Sequence, residues 1–312
     1  MDRPLVSVII PLHNAAPWIG ECVESVLHQS YSDIEVIIVE NGSTDNSLEI
    51  AQSYVSERVH VLVSAIPNVS AARNLGTRHA QGVNIQYIDA DDKLAGDKIE
   101  RQITVLERYH FDPSVVAMGN LYVFDGSKSY VSKDIKERYL PAIEILIDLF
   151  LTKSSLNCAC YLVHKKLIDL CDPWDENLVR HEDWLWLSTV LSKAESAVFI
   201  RDSISYYRTD NIHSLSKQYS DHAIESEISA RMKIVRMLDK CNSPQKHKVE
   251  EMLIMSWNRV LYPYYRKKRK VAEFFLKQLY PDCKIEYPNL TWKERFYYLA
   301  VFFNLVKSQK KP

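Results

Sequence analysis

The chain has 312 residues, 46% hydrophobic and 25% charged, which is the balance of a folded globular protein and excludes a disordered or fibrous one. Its longest apolar run, residues 296–306, is interrupted by Asn304 and falls short of the roughly 20 residues that a membrane-spanning helix needs. The net charge is −1, but from Lys240 onward sixteen Lys and Arg stand against six Asp and Glu, so a basic tail follows an acidic body and points to an anionic partner.

In chain order, residues 5–11 read as a buried strand rich in β-branched side chains and closed by Pro11. Residues 15–29 carry helical apolar spacing through Trp18, Ile19, Cys22, Val23, Val26 and Leu27. A second strand, 34–39, runs into the polar loop Glu40-Asn41-Gly42-Ser43-Thr44-Asp45, which caps a helix reaching Val55. A third strand is expected at 59–63 and a third helix at 70–80. A fourth strand, 84–88, ends in Asp89-Ala90-Asp91-Asp92. Short alternating strands and helices predict a largely parallel, doubly wound α/β sheet. Neither a G-x-G-x-x-G after the first strand nor a P-loop is present, so a dinucleotide fold is not indicated.

Polar groups gather at the carboxyl ends of these strands: His13 and Asn14, then Glu40 and Asn41, then Arg73, then Asp89, Asp91 and Asp92. Ligands of open α/β sheets bind there. Three crowded carboxylates repel one another and suit a hard cation such as Mg²⁺ or Mn²⁺ beside a phosphate-bearing ligand. Each group also has an ordinary reading. The acids alone can be a solvated turn capping the next helix, Asn41-Gly42 a turn, and Arg73 a surface helix residue. Their shared sheet edge is what favours a nucleotide pocket.

The segments Val6-Ser7-Val8-Ile9-Ile10-Pro11-Leu12-His13-Asn14, Val39-Glu40-Asn41-Gly42-Ser43-Thr44-Asp45, Ala72-Arg73-Asn74-Leu75-Gly76 and Asp89-Ala90-Asp91-Asp92 together resemble family 2 glycosyltransferases, over about residues 4–215. The resemblance implies the GT-A fold, a nucleotide-sugar donor, a divalent metal and transfer with inversion. It implies that Pro11, Asn14, Glu40 and Asn41 hold the nucleoside, typically uridine, that Arg73 and Asp89 lie by the nucleotide, and that Asp91 and Asp92 bind ribose and metal. An aspartate pair is usual where this chain has Glu40-Asn41; the Asn41 amide can still accept a hydrogen bond.

Downstream, a helix is expected over 93–109, a strand over 115–124 with a turn at 125–127, a helix over 141–151 and a strand over 157–163. A Cys-x-Cys on that last strand would put Cys158 and Cys160 on one face, as two buried small residues rather than metal ligands. The six cysteines show no zinc spacing and no disulfide framework, which suits a reducing cytosol; the chain enters a strand almost at once, so no signal peptide is expected. His181-Glu182-Asp183-Trp184 opens a helix whose first-turn acids suit the dipole. By the resemblance, this acidic pair carries the catalytic base, Asp183 rather than Glu182. Trp184 and Trp186 suit either sugar stacking or core packing. Short strands at 198–200 and 203–208 lead to Arg208 and His213, which by the resemblance could reach the diphosphate or the metal. Helices follow from Asp221. Tyr262-Pro263-Tyr264-Tyr265-Arg266-Lys267-Lys268-Arg269-Lys270 and the aromatic stretch 292–306 suit an anionic membrane surface; no nucleic-acid motif is present.

These readings combine into a GT-A domain over 1–218, with a nucleotide half to about 110 and an acceptor half after it, and a helical basic and aromatic extension over 219–312. The expected activity is metal-dependent (Mn²⁺ or Mg²⁺) transfer of a hexosyl or N-acetylhexosaminyl group from a UDP-sugar to a hydroxyl of a saccharide or lipid-linked saccharide. The expected setting is surface polysaccharide synthesis at the inner face of the cytoplasmic membrane. Three rivals remain: a transferase using polyprenyl phosphate as acceptor, a nucleotidyltransferase, and a non-catalytic nucleotide-binding partner. The nucleotidyltransferase would want a Gly-rich basic loop where Leu12-His13-Asn14-Ala15-Ala16 stands.

Overall fold

The computed structural model describes residues 3–125, 129–131, 138–152, 156–211 and 220–239. Four parallel strands, β1 Val6–Leu12, β2 Ile34–Glu40, β3 Val59–Val63 and β4 Asn84–Tyr87, lie in the order β3-β2-β1-β4. Helices α1 Ile19–Leu27, α2 Ser47–Gln52 and α3 Val69–His79 make the crossovers. Side chains alternate between the two faces of a strand. Ile9, Ile37 and Val39 accordingly join one buried apolar cluster, while Val8, Ile10, Val36 and Ile38 join another. Both faces of the sheet are covered, which is why β1 and β2 are mostly apolar rather than alternating, with Ser7 and Glu35 hydrogen-bonded to each other inside. Ile9 gives its carbonyl to Ile88 on the β4 side, and Leu12 gives its carbonyl to Asn41 on the β2 side. The missing N–H of Pro11 therefore points to the β4 side, where that strand has ended, and no ladder bond is lost.

The remaining described elements are β5 Lys93–Leu94, α4 Lys98–Arg108, β6 Val115–Phe124, β7 Ser129–Val131, β8 Arg138–Pro141, α5 Ala142–Thr152, a 3₁₀ turn Cys158–Cys160, β9 Tyr161–His164, α6 Lys165–Ile168, α7 Glu182–Lys193, β10 Ser196–Arg208 and α8 Asp221–Asp239. They extend the same sheet to ten strands, β3-β2-β1-β4-β9-β6-β10-β5, with β7 on β6 and β8 on β10. β9 runs antiparallel to both β4 and β6, so the sheet becomes mixed beyond the parallel block.

Several boundaries differ from expectation. The helix predicted from residue 15 starts at Ile19. Lys93 and Leu94, expected in a helix, pair with Tyr206 and Ser205 instead, because an open strand edge satisfies backbone groups that a helix start leaves unpaired. The strand predicted over 157–163 begins only at Tyr161. The Asn157 side chain accepts from the Ala159 N–H and caps a 3₁₀ turn, so Cys158 and Cys160 share no strand face, though both are buried. The two strands predicted at 198–200 and 203–208 are one strand. Its register on β6 jumps between Ile200, opposite Gly119, and Ile204, opposite Asn120. Gly119 is required there, since a Cβ would stand 2.2 Å from the Ser203 carbonyl oxygen.

Candidate active site

The loops after β1 and β2 are laced to each other. Glu40 is buried, and its Oε1 accepts from the Gly42 N–H at 2.6 Å and the Ser43 N–H at 2.5 Å, while its Oε2 takes the Ser43 hydroxyl at 2.7 Å. Asn14 sits in the left-handed region at φ 47. It donates its own N–H to Ser43 Oγ at 3.1 Å, and its Oδ1 receives the Thr44 N–H at 2.8 Å. Asn41 is buried and donates its backbone N–H to Leu12. Glu40 thus shapes the loop, and the Asn41 amide sits beside it.

The three acids after β4 separate by role. Asp92 is 2% exposed. Its Oδ2 accepts from Asn157 Nδ2 at 2.7 Å and its Oδ1 from the Arg208 backbone N–H at 2.9 Å, which clips the strand end to the 3₁₀ turn and to the end of β10. Asp91 accepts from Asn211 Nδ2 at 2.8 Å, and its carbonyl accepts from Arg208 Nε at 2.8 Å. The Arg208 guanidinium also pairs with Glu21 of α1 and lies 4.4 Å from the Phe124 ring centroid. Burial, with the charge of Asp89 second, pushes the Asp91 carboxyl above its ordinary range; burial and then Asp91 push Asp92 well above it. His213, the other metal candidate, lies outside the described residues.

These donors fit a hard divalent cation. They are carboxylate oxygens crowded enough to resist ionisation, and a cation would relieve that crowding. Among the described residues no three His, Cys, Asp or Glu side chains converge on one point. Cations of the Mg²⁺ class take only one or two carboxylates and complete their shell with substrate phosphate and water.

Arg73 corrects the surface reading of its helix position. It is 2% exposed and lies across two acids, with Nη2 donating to Asp89 Oδ1 at 2.7 Å and Nη1 to Glu182 Oε1 at 3.2 Å. Its guanidinium lies 4.3 Å from the Trp174 ring centroid, and Cys158 Sγ is 3.7 Å from Nη2. One buried cation therefore joins Asp89, just past β4, to Glu182 of the acidic pair opening α7, 109 residues after Arg73 in the chain. Next to Glu182, Asp183 accepts the Trp184 N–H at 2.7 Å. Burial first, and the Glu182 charge second, push its carboxyl up to about 6. Trp186 is core: it stacks on Trp174 at 4.5 Å between centroids, with Tyr87 edge-on at 5.0 Å. Trp184 is partly buried against the same cluster.

Sequence reading missed Glu21, Asn157, Cys158, Trp174 and Asn211 as parts of this site. None carried a clear signal: Asn157 opens a stretch whose composition suits a strand, and the others reach the acids from distant parts of the chain.

Residues 7–169 match the model of "Glycosyl transferase family 2". The chain belongs to that family. This glycosyltransferase is 29% identical over 240 residues to the uncharacterized glycosyltransferase EpsJ of Bacillus subtilis (strain 168), a match covering 73% of this chain and 69% of EpsJ. It is 42% identical over 104 residues to the putative teichuronic acid biosynthesis glycosyltransferase TuaG of the same organism, covering 32% of this chain and 41% of TuaG. A match to an uncharacterized glycosyltransferase of Haemophilus influenzae (strain ATCC 51907 / DSM 11121 / KW20 / Rd) is 38% identical over 127 residues and spans 40% of this chain and about half, 49%, of that protein. Among solved structures, S. aureus TarS 1–349 in complex with UDP-GlcNAc superposes with a TM-score of 0.67 at 19% identity, covering 82% of this chain and 72% of that one. The family 2 glycosyltransferase thus has the expected GT-A α/β fold.

Proposed function

We propose that this glycosyltransferase moves a hexosyl or N-acetylhexosaminyl group from a UDP-sugar to a hydroxyl of a saccharide or lipid-linked saccharide, inverting the anomeric centre in one displacement. The observation that carries the reading is the Arg73 bridge, which sets the donor-side acid Asp89 and the acceptor-side acid Glu182 on one guanidinium. Asp183, raised to about 6, is the general base: it takes the proton from the acceptor hydroxyl as the oxygen attacks the sugar carbon. A carboxyl near the operating pH is suited to that task. A phosphate acceptor would need no such base, which favours a hydroxyl over polyprenyl phosphate. Asp91 would hold Mn²⁺ or Mg²⁺, with Asp92 as its buried brace, and the bound ion would neutralise charge on the diphosphate. Asn41 and the loop that Glu40 shapes receive the nucleoside, and Arg208 stands over Asp91 on the diphosphate side. The UDP-GlcNAc named for TarS and the teichuronic acid named for TuaG support a UDP-sugar donor and a surface polysaccharide product. The basic aromatic tail, 262–312, would hold the enzyme to the inner leaflet; it lies outside the described residues.

The test is a panel of UDP-, GDP- and dTDP-sugars with Mn²⁺ or EDTA, followed by nucleotide release, with Asp91→Ala and Asp183→Asn alongside. Metal-dependent release from one donor, lost in both variants, is expected. Metal-dependent UDP binding in calorimetry without turnover for any donor, even with saccharide acceptors added, would instead mark a non-catalytic nucleotide-binding partner. No nucleotide binding at all would overturn the reading of the acidic strand end.

A further inference from the structure

Helix α8, which lies beyond the matched family region, grips the segment that presents the acidic pair. The Ser226 hydroxyl of α8 accepts the N–H groups of Val179 and Arg180, both at 2.9 Å, and donates to the Arg180 carbonyl at 2.9 Å. One buried side chain thus closes three backbone hydrogen bonds on the two residues before His181. His181 itself is in the left-handed region at φ 61, a conformation that a non-glycine residue keeps only when its surroundings enforce it. Its Nε2 lies 3.4 Å from Oε1 of Glu227, the next α8 residue after Ser226. Glu227 is buried and is also held by Arg231 at 2.7 Å and by Arg180 at 4.0 Å. Burial alone would push Glu227 up, but the hydrogen bond and charge of His181, and then Arg231, hold it at about 2. Glu182 and Asp183 follow His181 directly.

We infer that Ser226 and Glu227 of α8 are positioning residues for the base, acting through the 179–181 turn and His181 to set where the Asp183 carboxylate stands. The reading rests on Asp183 as the base. It makes α8, which lies beyond the family-matched stretch 7–169, part of the catalytic unit. The groups facing Asp183 are Glu182, His181 and Arg73, with the thiol of Cys158 and the phenol of Tyr161 also in range. Of these, His181 is the one that touches α8, through Glu227.

The experiment uses the full chain with Ser226→Ala, Ser226→Thr, Glu227→Gln, His181→Gln and the Glu227→Gln/His181→Gln double variant, each checked for folding by its thermal midpoint. The Asp183 carboxyl is followed by ¹³C NMR, its signal assigned with Asp183→Asn, so no donor is needed. In His181→Gln the titration midpoint is expected to move up by about half a pH unit as an opposing charge is lost. Ser226→Ala and Glu227→Gln should move it the same way, Ser226→Thr should restore the wild-type value, and the double variant should add little to either single change. UDP release from the donor panel supplies a second reading: kcat falls on the order of tenfold while donor KM stays put, since placement of the base and not donor binding is disturbed. A wild-type Asp183 midpoint and wild-type kcat in folded Ser226→Ala and Glu227→Gln would overturn the inference. Full turnover in Asp183→Asn would sink the base reading instead, whatever the α8 variants show.

Discussion

At Asp183, the proposed base, the requirements of catalysis and of stability would oppose each other. Its carboxyl is raised in the folded chain to about 6, so folding favours its protonated form. The sign follows: its contribution to stability is intact in acid and is lost as pH rises from the unfolded value near 4 through about 6. A rise of that size corresponds to about 3 kcal/mol near neutral pH. Asp183→Asn should therefore raise stability by on the order of 2 kcal/mol at pH 7 and by almost nothing below pH 4, as read from urea unfolding at both values. The same change should lower turnover on the order of a hundredfold or more, and wild-type turnover should fall as pH drops through about 6. Arg73 presents the opposite case. Its guanidinium is almost wholly buried between Asp89 and Glu182, and removing one partner of a buried set leaves the others unpaired. Arg73→Met is expected to cost about 3 kcal/mol or more in urea unfolding. Arg73→Lys should recover only part of this, because an ammonium cannot span two carboxylates as a planar fork does.

Among the elements, β6 and β10 have the longest strand pairing described, and it is broken at one point. Gly119 lies against Ser203 so closely that an added Cβ would meet the Ser203 carbonyl oxygen at 2.2 Å and its Oγ at 2.7 Å. Backbone cannot yield as a flexible side chain can. Gly119→Ala should lower the urea midpoint by the equivalent of about 3 kcal/mol with the slope unchanged. The end of β10 carries Arg208, whose N–H holds Asp92, so the displaced register should also weaken metal-dependent UDP binding measured by calorimetry. The mostly apolar runs of β1 and β2 made the parallel block legible, since a strand buried on both faces needs few polar positions. The 3₁₀ turn at Cys158–Cys160 was not legible, because its apolar composition suits a strand equally well; the cap from Asn157 and its hold on Asp92 decide it.

For the molecule as a whole, the described residues contain no helix long and apolar enough to cross a membrane, while the charge is concentrated in the tail, where five cations follow Tyr265 directly. If that tail is the membrane contact, deleting residues 262–312 should abolish sedimentation with vesicles containing about one third phosphatidylserine. Binding of the full chain should fall steeply between about 0.05 and 0.3 M salt, as surface electrostatics require. Unchanged vesicle binding by a deletion variant that still binds UDP would remove the tail from that role.

By itself the sequence determined the α/β class, the order of strands up to the acids, the carboxylates at the end of β4 and the acids opening α7, because apolar period and local motifs are properties of neighbouring residues. Tertiary structure alone decided which of those acids face inward. Asp92 became a brace and Asp91 the more open carboxylate. A helix arginine that the resemblance set by the nucleotide became the buried link between two acids far apart in the chain, and α8 became the clasp on the turn before Asp183. None of these could be read from spacing. Burial and ion pairing depend on which distant segments the sheet brings together, and a charged side chain in a linear sequence carries no mark of the partner that will bury it.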